Sequence, residues 1–478
     1  MSRPRAKPRA VPVKARPSGP PLPVAVIGAG FSGTMVAIQL ASWLPPDQQI
    51  VLCEQGTPCR GAAYGTPNPG HLLNVRSANM SAFPRQPEHF DRWLDSRLPA
   101  VSSEVIITPA GRFASRGLYG RYLSALLDEA LAGSPPRLGL RCTSIIDIEP
   151  QDGFWRLLCA DGSTQDVSGV VLAIGNLPPP AQDQPRYRCN PWARDALTGL
   201  EADRPVLIMG TGLTMVDLVL EMRRSGFTGK IIAVSRRGLV PHRHAPTQFW
   251  PTPNLRLPER LSLVKLVARV RDEVRQAAAM GLDWRSVIDS LRPVTTELWQ
   301  GLRLPERRRF LRHLRPYWDI HRHRLAAPVA ELLAAELAGG TLQVIRGRVA
   351  GIGHAPDEAT VRITPRGGGA PQSLTVQRVI NATGLQSAEA AVSPLIANLR
   401  RRGLARLDPL AMGLDVTDTF EVIDAQGSVN STLWALGPIV RGVFWESVAV
   451  PDIRTQAEKL ARQAGRQMLE AAYAANVD

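Results

Sequence analysis

Aromatic residues are scarce in this 478-residue chain, at 5%, and no apolar run reaches the roughly 18 residues of a membrane-crossing helix. No secretory h-region stands near the N-terminus, so the expected location is the cytoplasm, with no membrane among the expected partners. Composition is otherwise that of a globular α/β protein, with 44% apolar and 21% charged residues. At this length a single core is too few, and two or three domains are expected.

Cysteine is also sparse. Cys53, Cys59, Cys142, Cys159 and Cys189 include no C-x-x-C and no metal-ligand spacing, and an odd number excludes a complete disulfide framework. Two readings of Cys53 and Cys59 stand: a redox pair, or a core thiol and a loop thiol. The first lies within an apolar strand pattern beside Glu54, which favours the second reading.

Acidic residues are outnumbered 42 to 57 by Lys and Arg, and the formal net charge is +15. Excess positive charge attracts nucleic acid or anionic membranes. Here, however, it is spread over an N-terminal tail (Arg3 to Arg16) and a cluster from Arg303 to Arg324, with no recognisable binding module. Nucleic acid is therefore not an expected partner. Arginine suits phosphate and carboxylate, so an anionic small molecule stays open. Residues 1–22, rich in Pro and Arg and without an acid, read as a disordered basic tail.

The informative residues come next. Val24–Ile27 reads as a buried strand, Gly28-Ala29-Gly30-Phe31-Ser32-Gly33 as a turn into a helix, and Gln49–Cys53 as a second strand ending at Glu54. In such a βαβ unit the first glycine makes the turn, the second admits a pyrophosphate, and the third lets helix and strand pack closely. Glu54, about 26 residues past Gly28, is placed to accept from a ribose 2′-hydroxyl.

A second unit follows in VLIMGTGLTMVD (Val206–Asp217). Gly210 and Gly212 are kept, Thr214 lies in the turn, and Met215 replaces the third glycine. Its second strand, Lys230–Val234, ends in Ser235-Arg236-Arg237-Gly238 rather than in an acid. A hydroxyl and two guanidiniums suit a 2′-phosphate that a carboxylate would repel, which points to NADPH over NADH. A solvated arginine pair is the plainer alternative. Two fingerprints imply two dinucleotides, with hydride passing between them.

These residues resemble the flavoproteins with two dinucleotide-binding domains, including the class B flavin monooxygenases. Val170–Pro180 (VVLAIGNLPPP) and Val379–Gln386 (VINATGLQ) look like their domain-linking strands. More narrowly, Gly61–Pro84, Ser235–His244, Arg312–Ala326 and Leu436–Ala457 are similar to a family of bacterial FAD/NAD(P)-binding proteins. The resemblance implies FAD on the first fingerprint and NADPH on the second. It also implies that Gly61, Tyr64, Asn74, Met80 and Ser81 run beside the flavin, that Gly384 marks the return to the FAD domain, and that Gly437 and Pro438 close the flavin's other side.

The implied architecture is α/β, with two Rossmann-like domains and a discontinuous FAD domain: residues 23–200 and 377–478 for FAD, 201–376 for NADPH. A helical insertion at about 250–330 is expected in the NADPH domain as a substrate lid. In it, Arg312 to His323 read either as an anion-binding, acid/base pocket or as a solvated Arg-rich helix end. In the first reading His313 or His321 donates a proton beside Asp319. A metal site at Asp319, His321 and His323 is disfavoured by the interleaved arginines, so no metal is expected.

For a monooxygenase, the resemblance implies that reduced flavin meets O2 to give a C4a-hydroperoxide, protected in a dry site. The expected substrate is then a small, anionic-compatible molecule, a soft nucleophile or a ketone. Two departures matter. The histidine signature of class B monooxygenases is absent from Pro180–Pro205, and the C-x-x-x-x-C of disulfide reductases is absent altogether. The first keeps open an NADPH-dependent flavin reductase or dehydrogenase with a non-oxygen acceptor, and a non-catalytic redox-sensing module. A homodimer also stays open.

Overall fold

The structure is a computed structural model that describes residues 21–176, 184–193, 195–253, 255, 262–384 and 393–475. The basic tail up to residue 20, Pro180 and its neighbours, and Gln386 lie outside the described residues.

The strands Val24–Ile27, Ile50–Cys53 and Gly169–Leu172 are buried along their whole length, as parallel strands covered on both faces must be. They form the centre of a six-stranded sheet. Leu138–Arg141 lies outside Ile50–Cys53, and Val429–Ala435 and then Glu421–Ile423 lie outside Gly169–Leu172. All pairings are parallel except the last. The helix Phe31–Trp43 crosses from the first strand to the second, and the C-terminal helix Val450–Ala475 packs on it. A Cβ at Gly465 would stand 2.3 Å from the Trp43 carbonyl oxygen, so the closeness of this packing needs that glycine.

A second sheet of seven strands repeats the plan. Its parallel part runs Tyr187–Arg188, Arg378–Asn381, Val206–Met209, Ile231–Ser235, Leu342–His354, and two antiparallel strands, Ala359–Pro365 and Gln372–Val376, extend it. Arg378–Asn381 hydrogen-bonds along Val206–Met209 and Tyr187–Arg188 pairs with it in turn, so both strands belong to the second sheet. The strands that return to the first sheet are those after Glu421.

Between Ser235 and Leu342 the described residues form helices and no sheet strand. The longest, Leu263–Ala279, is followed by Trp284–Ser290, which starts where the Asp283 side chain accepts from Arg285 N–H. Arg315–Arg322 is entered through a π turn at Phe310–Leu314, and the helix Ala327–Ala338 follows it and leads to the strand at Leu342. The group docks on the C-terminal part of the first domain. Trp299 Nε1 donates to the Gly442 carbonyl (3.0 Å), its ring lies 4.8 Å from that of Trp445, and Arg292 pairs with Asp452 (2.7 Å). Among the described residues no helix is long and apolar enough to cross a membrane.

A buried ion pair joins the two sheets' domains. Arg116, from the helix Arg116–Leu131, meets Asp217 of the helix Leu213–Arg224 at 2.8 Å, with both side chains largely buried. Burial pushes the Asp217 carboxyl up, and Arg116 opposes that push. Arg116→Ala should destabilise the protein by about 2 kcal/mol. That is below the usual cost of breaking a buried pair because Asp217 escapes by taking up a proton. Urea unfolding at neutral pH measures this, and an unchanged midpoint would show that the pair contributes nothing.

Candidate active site

The first fingerprint divides its labour as its spacing implies. Gly28 has φ +95°, and a Cβ there would lie 2.6 Å from the Ala173 carbonyl oxygen. A Cβ at Gly33 would fall 1.7 Å from the Gly28 carbonyl oxygen, whereas one at Gly30 would meet nothing within 4 Å. Thus Gly28 and Gly33 serve the protein, and Gly30 leaves room for something else. The helix begins at Phe31 with no side-chain cap, so its first N–H groups stay available to an anion. Glu54 sits at the expected strand end, with Oε2 accepting from Ala29 N–H (2.8 Å) and Oε1 from Gly56 N–H (2.9 Å).

Other expected residues gather here. Cys59 N–H donates to the Ala29 carbonyl (2.7 Å), which folds the Gly61 segment over the turn, and a Cβ at Gly61 would come 3.6 Å from Gly30 Cα. From the far end of the chain Gly437, with φ +82° and followed by Pro438, comes so close to Ser32 that a Cβ would meet its Oγ at 2.4 Å. Three others turn inward. Tyr64 packs its ring on Tyr119 (4.9 Å), Met80 is buried, and Ser81 Oγ donates to the Gln86 carbonyl (2.6 Å). Asn74 uses its carbonyl to accept from His244 Nε2 across the domain junction (2.9 Å). The Cys53 and Cys59 thiols are buried and free, and burial pushes the first up to about 12, which argues against a redox pair.

His244 is buried, and its Nδ1 has no partner. Burial above all, helped by the charges of Arg324 and Arg76, pushes its pKa down to about 4. Between about pH 6.5 and 4 the unfolded chain binds a proton that the folded imidazole refuses, so stability falls as pH falls through that window. His244→Gln keeps a donor for Asn74 and abolishes the titration. The wild type should therefore lose about 2 kcal/mol relative to the variant between pH 7.5 and 4.5 in urea unfolding. Parallel losses would refute this.

The second fingerprint floors a cleft of about 590 Å³. Gly210 (φ +114°) presses on the Ala382 carbonyl as Gly28 does on Ala173, and Gly212 again faces open space. The helix Leu213–Arg224 also begins without a side-chain cap. Thr214 and Gly384 line the same cleft, so Gly384 belongs with this fingerprint. Ser235 Oγ accepts from Gly238 N–H (3.0 Å) and pins the turn that carries the arginines. Arg236 is exposed. Arg237 Nη2 donates to the His313 carbonyl (3.0 Å), and its guanidinium lies 5.0 Å from the centre of the Tyr317 ring.

Sequence reasoning passed over several groups here. Arg315, Arg348 and Arg441 also line the cleft, and burial together with the Arg315 charge pushes Arg441 down to about 10. Arg348 comes from a sheet strand, where nothing in the local sequence marks it. Glu446 is buried, with Oε1 accepting from Trp318 Nε1 (3.0 Å) and Oε2 unpartnered. Burial pushes its carboxyl up, but Arg322, His323 and Arg292 outweigh that and hold it below the usual range.

The three candidate acid/base residues are not brought together. His313 is exposed and lines neither the cleft nor its neighbour. The helix Arg315–Arg322 turns Asp319 toward the cleft and His321 toward a separate cavity. Asp319 pairs with Arg315 (3.4 Å), and burial pushes its carboxyl up.

Residues 25–177 match the family model described as FAD-NAD(P)-binding. That part of the chain is similar to FAD-NAD(P)-binding domains. The first fingerprint, Glu54 and the Gly61 segment all fall within the matched part. A search of curated proteins by sequence finds no significant match. Among solved structures the whole fold is similar to three others. An ornithine N-hydroxylase of Kutzneria sp. 744 is 15% identical, covers 94% of this chain and 99% of its own, and has a TM-score of 0.62. For L-lysine 6-monooxygenase of Pseudomonas syringae the values are 18%, 93%, 99% and 0.61. For a cadaverine monooxygenase of Erwinia amylovora they are 13%, 93%, 94% and 0.62. At these identities the likeness shows the shared two-domain fold.

Proposed function

We propose that this protein is a cytoplasmic, FAD-dependent and NADPH-using oxidoreductase, and that its activity is monooxygenation of a small molecule with O2. The observation that carries the reading is the pair of open glycines. Gly30 and Gly212 each start an uncapped helix at a place where a Cβ would meet no protein atom, so both turns suit a pyrophosphate. The cations of the second cleft support a phosphorylated dinucleotide there. Fold similarity to an ornithine N-hydroxylase and to lysine and cadaverine monooxygenases supports the oxygenase chemistry by analogy.

When bound, the two dinucleotides supply hydride transfer and the activation of oxygen. The chain's own residues hold and enclose them. Gly28 to Gly33 and Glu54 take the FAD end, and Gly437 closes on Ser32. Gly210 to Thr214 take the second pyrophosphate, with Ser235, Arg236 and Arg237 on the 2′-phosphate. Trp445 and Glu446 stand where the C-terminal segment meets the cleft, in reach of both domains.

The test is double mixing. The purified flavoprotein is reduced anaerobically with NADPH, then met with oxygen in the presence of a panel of amines, ketones and anionic amphiphiles, and oxygenated product and hydrogen peroxide are counted against NADPH. Product formed in proportion to NADPH supports the reading. Peroxide alone, whatever the acceptor, overturns monooxygenation and leaves a reductase. Flavin that NADPH does not reduce overturns the whole redox assignment.

A further inference from the structure

A second cavity, of about 1120 Å³, lies inside the helical insertion. Its walls are the indoles of Trp284, Trp299, Trp318 and Trp445 and the apolar stripe from Leu266 to Val274 on the helix Leu263–Ala279. Leu266 and Val270 pack in part on Leu255, Ile288 and Leu291, and Val274 on Trp250, Ala277 and Val287, yet all three stay only half-buried, so the rest of the helix's apolar face borders the cavity. The helix Arg315–Arg322 is the partition: Tyr317, Trp318 and His321 face this cavity, while Asp319 and Ile320 face the dinucleotide cleft. Trp445 lines both.

The charged groups of this cavity are of one sign. Arg271 and Arg275 line it and are exposed, Arg275 being ion-paired with Asp272, and among the described residues no Asp or Glu lines it. An ammonium group entering such a place would lose water and find no carboxylate in exchange. A free amino acid or short diamine would also leave most of the apolar wall without contact. Cavities of this size and lining hold drug-sized ligands with a large apolar body and few polar groups.

We infer that the insertion cavity binds an amphiphile with an alkyl or aryl body and an anionic head directed to Arg271 and Arg275, and that this is the substrate subsite. The assignment as substrate rests on the proposed oxidoreductase function. The binding itself does not, and can be read without NADPH.

The test is calorimetric titration of the full-length flavoprotein with decanoate, 1-decanol, decylamine and cadaverine, alongside tryptophan emission. Decanoate should bind one to one and shift the emission, with decylamine at least about tenfold weaker and cadaverine silent. Val270→Trp, which fills the space, should weaken decanoate by about tenfold or more, and Ala268→Trp, at an exposed position, is the second filler should the first disturb folding. Arg271→Glu with Arg275→Glu should weaken decanoate about three- to tenfold and leave 1-decanol unchanged. Three results would overturn the proposal: decylamine or cadaverine binding as tightly as decanoate; a filled cavity with unchanged decanoate affinity; or a wild-type dimer that both fillers dissociate while decanoate fails to bind, which would make a second copy the occupant. Binding with no NADPH oxidation would leave this inference standing and remove the function proposed above.

Discussion

Replacing Arg236 and Arg237 together by alanine should cut kcat/KM for NADPH by about 100-fold while that for NADH changes by no more than about threefold. A hydrogen bond to a charged group is worth about 1.5–3 kcal/mol, and the difference between the two coenzymes is a single phosphate. Arg236 is exposed and makes no hydrogen bond or ion pair from its guanidinium among the described residues, so its charge is free for a ligand. Arg237 is tied to the His313 carbonyl and stacked near Tyr317, so it is held in place before a ligand arrives. The single variants should therefore differ. Arg236→Ala loses only a phosphate contact, while Arg237→Ala also loosens the insertion against the second domain. Steady-state kinetics with both coenzymes decides the matter, and equal losses for NADPH and NADH would remove the 2′-phosphate assignment.

The second large effect separates the two kinds of glycine in the first fingerprint. Gly33→Ala would put a methyl group 1.7 Å from the Gly28 carbonyl oxygen, a backbone atom that cannot move aside without shifting the helix. A cost of about 3 kcal/mol is expected, together with loss of FAD on gel filtration. Gly30→Ala meets no protein atom, and the backbone there (φ −72°, ψ −169°) suits alanine. Its apoprotein should unfold within about 1 kcal/mol of the wild-type apoprotein, yet it too should fail to retain FAD. A Gly30→Ala protein that keeps its yellow colour would mean that the open space does not receive the pyrophosphate.

The difference between those two glycines is legible in their spacing. Each fingerprint is local. Strand, turn and helix lie within a few residues, and hard-sphere limits at a positive φ leave glycine as the residue for the turn. The same holds for the acid that ends Ile50–Cys53 and for the hydroxyl and arginines that follow Val234. The α/β class follows from buried apolar strands alternating with helices, and the helical character of the insertion follows from the periodic pattern of Leu261 to Val270.

Sequence by itself thus determined two dinucleotide turns, their order, and the likeness to a two-domain flavoprotein. Only the tertiary structure decided which sheet Arg378–Asn381 joins, because a short apolar strand carries no sign of its partner. It also brought Arg348 and Arg441 to the second cleft from distant segments, and set Glu446 beside Trp318. It separated His321 from Asp319, two residues apart in the chain but on opposite faces of one helix, and so faced them toward different cavities. And it hollowed out the insertion, since an apolar helix stripe reads the same in sequence whether it meets a neighbouring helix or an unfilled space.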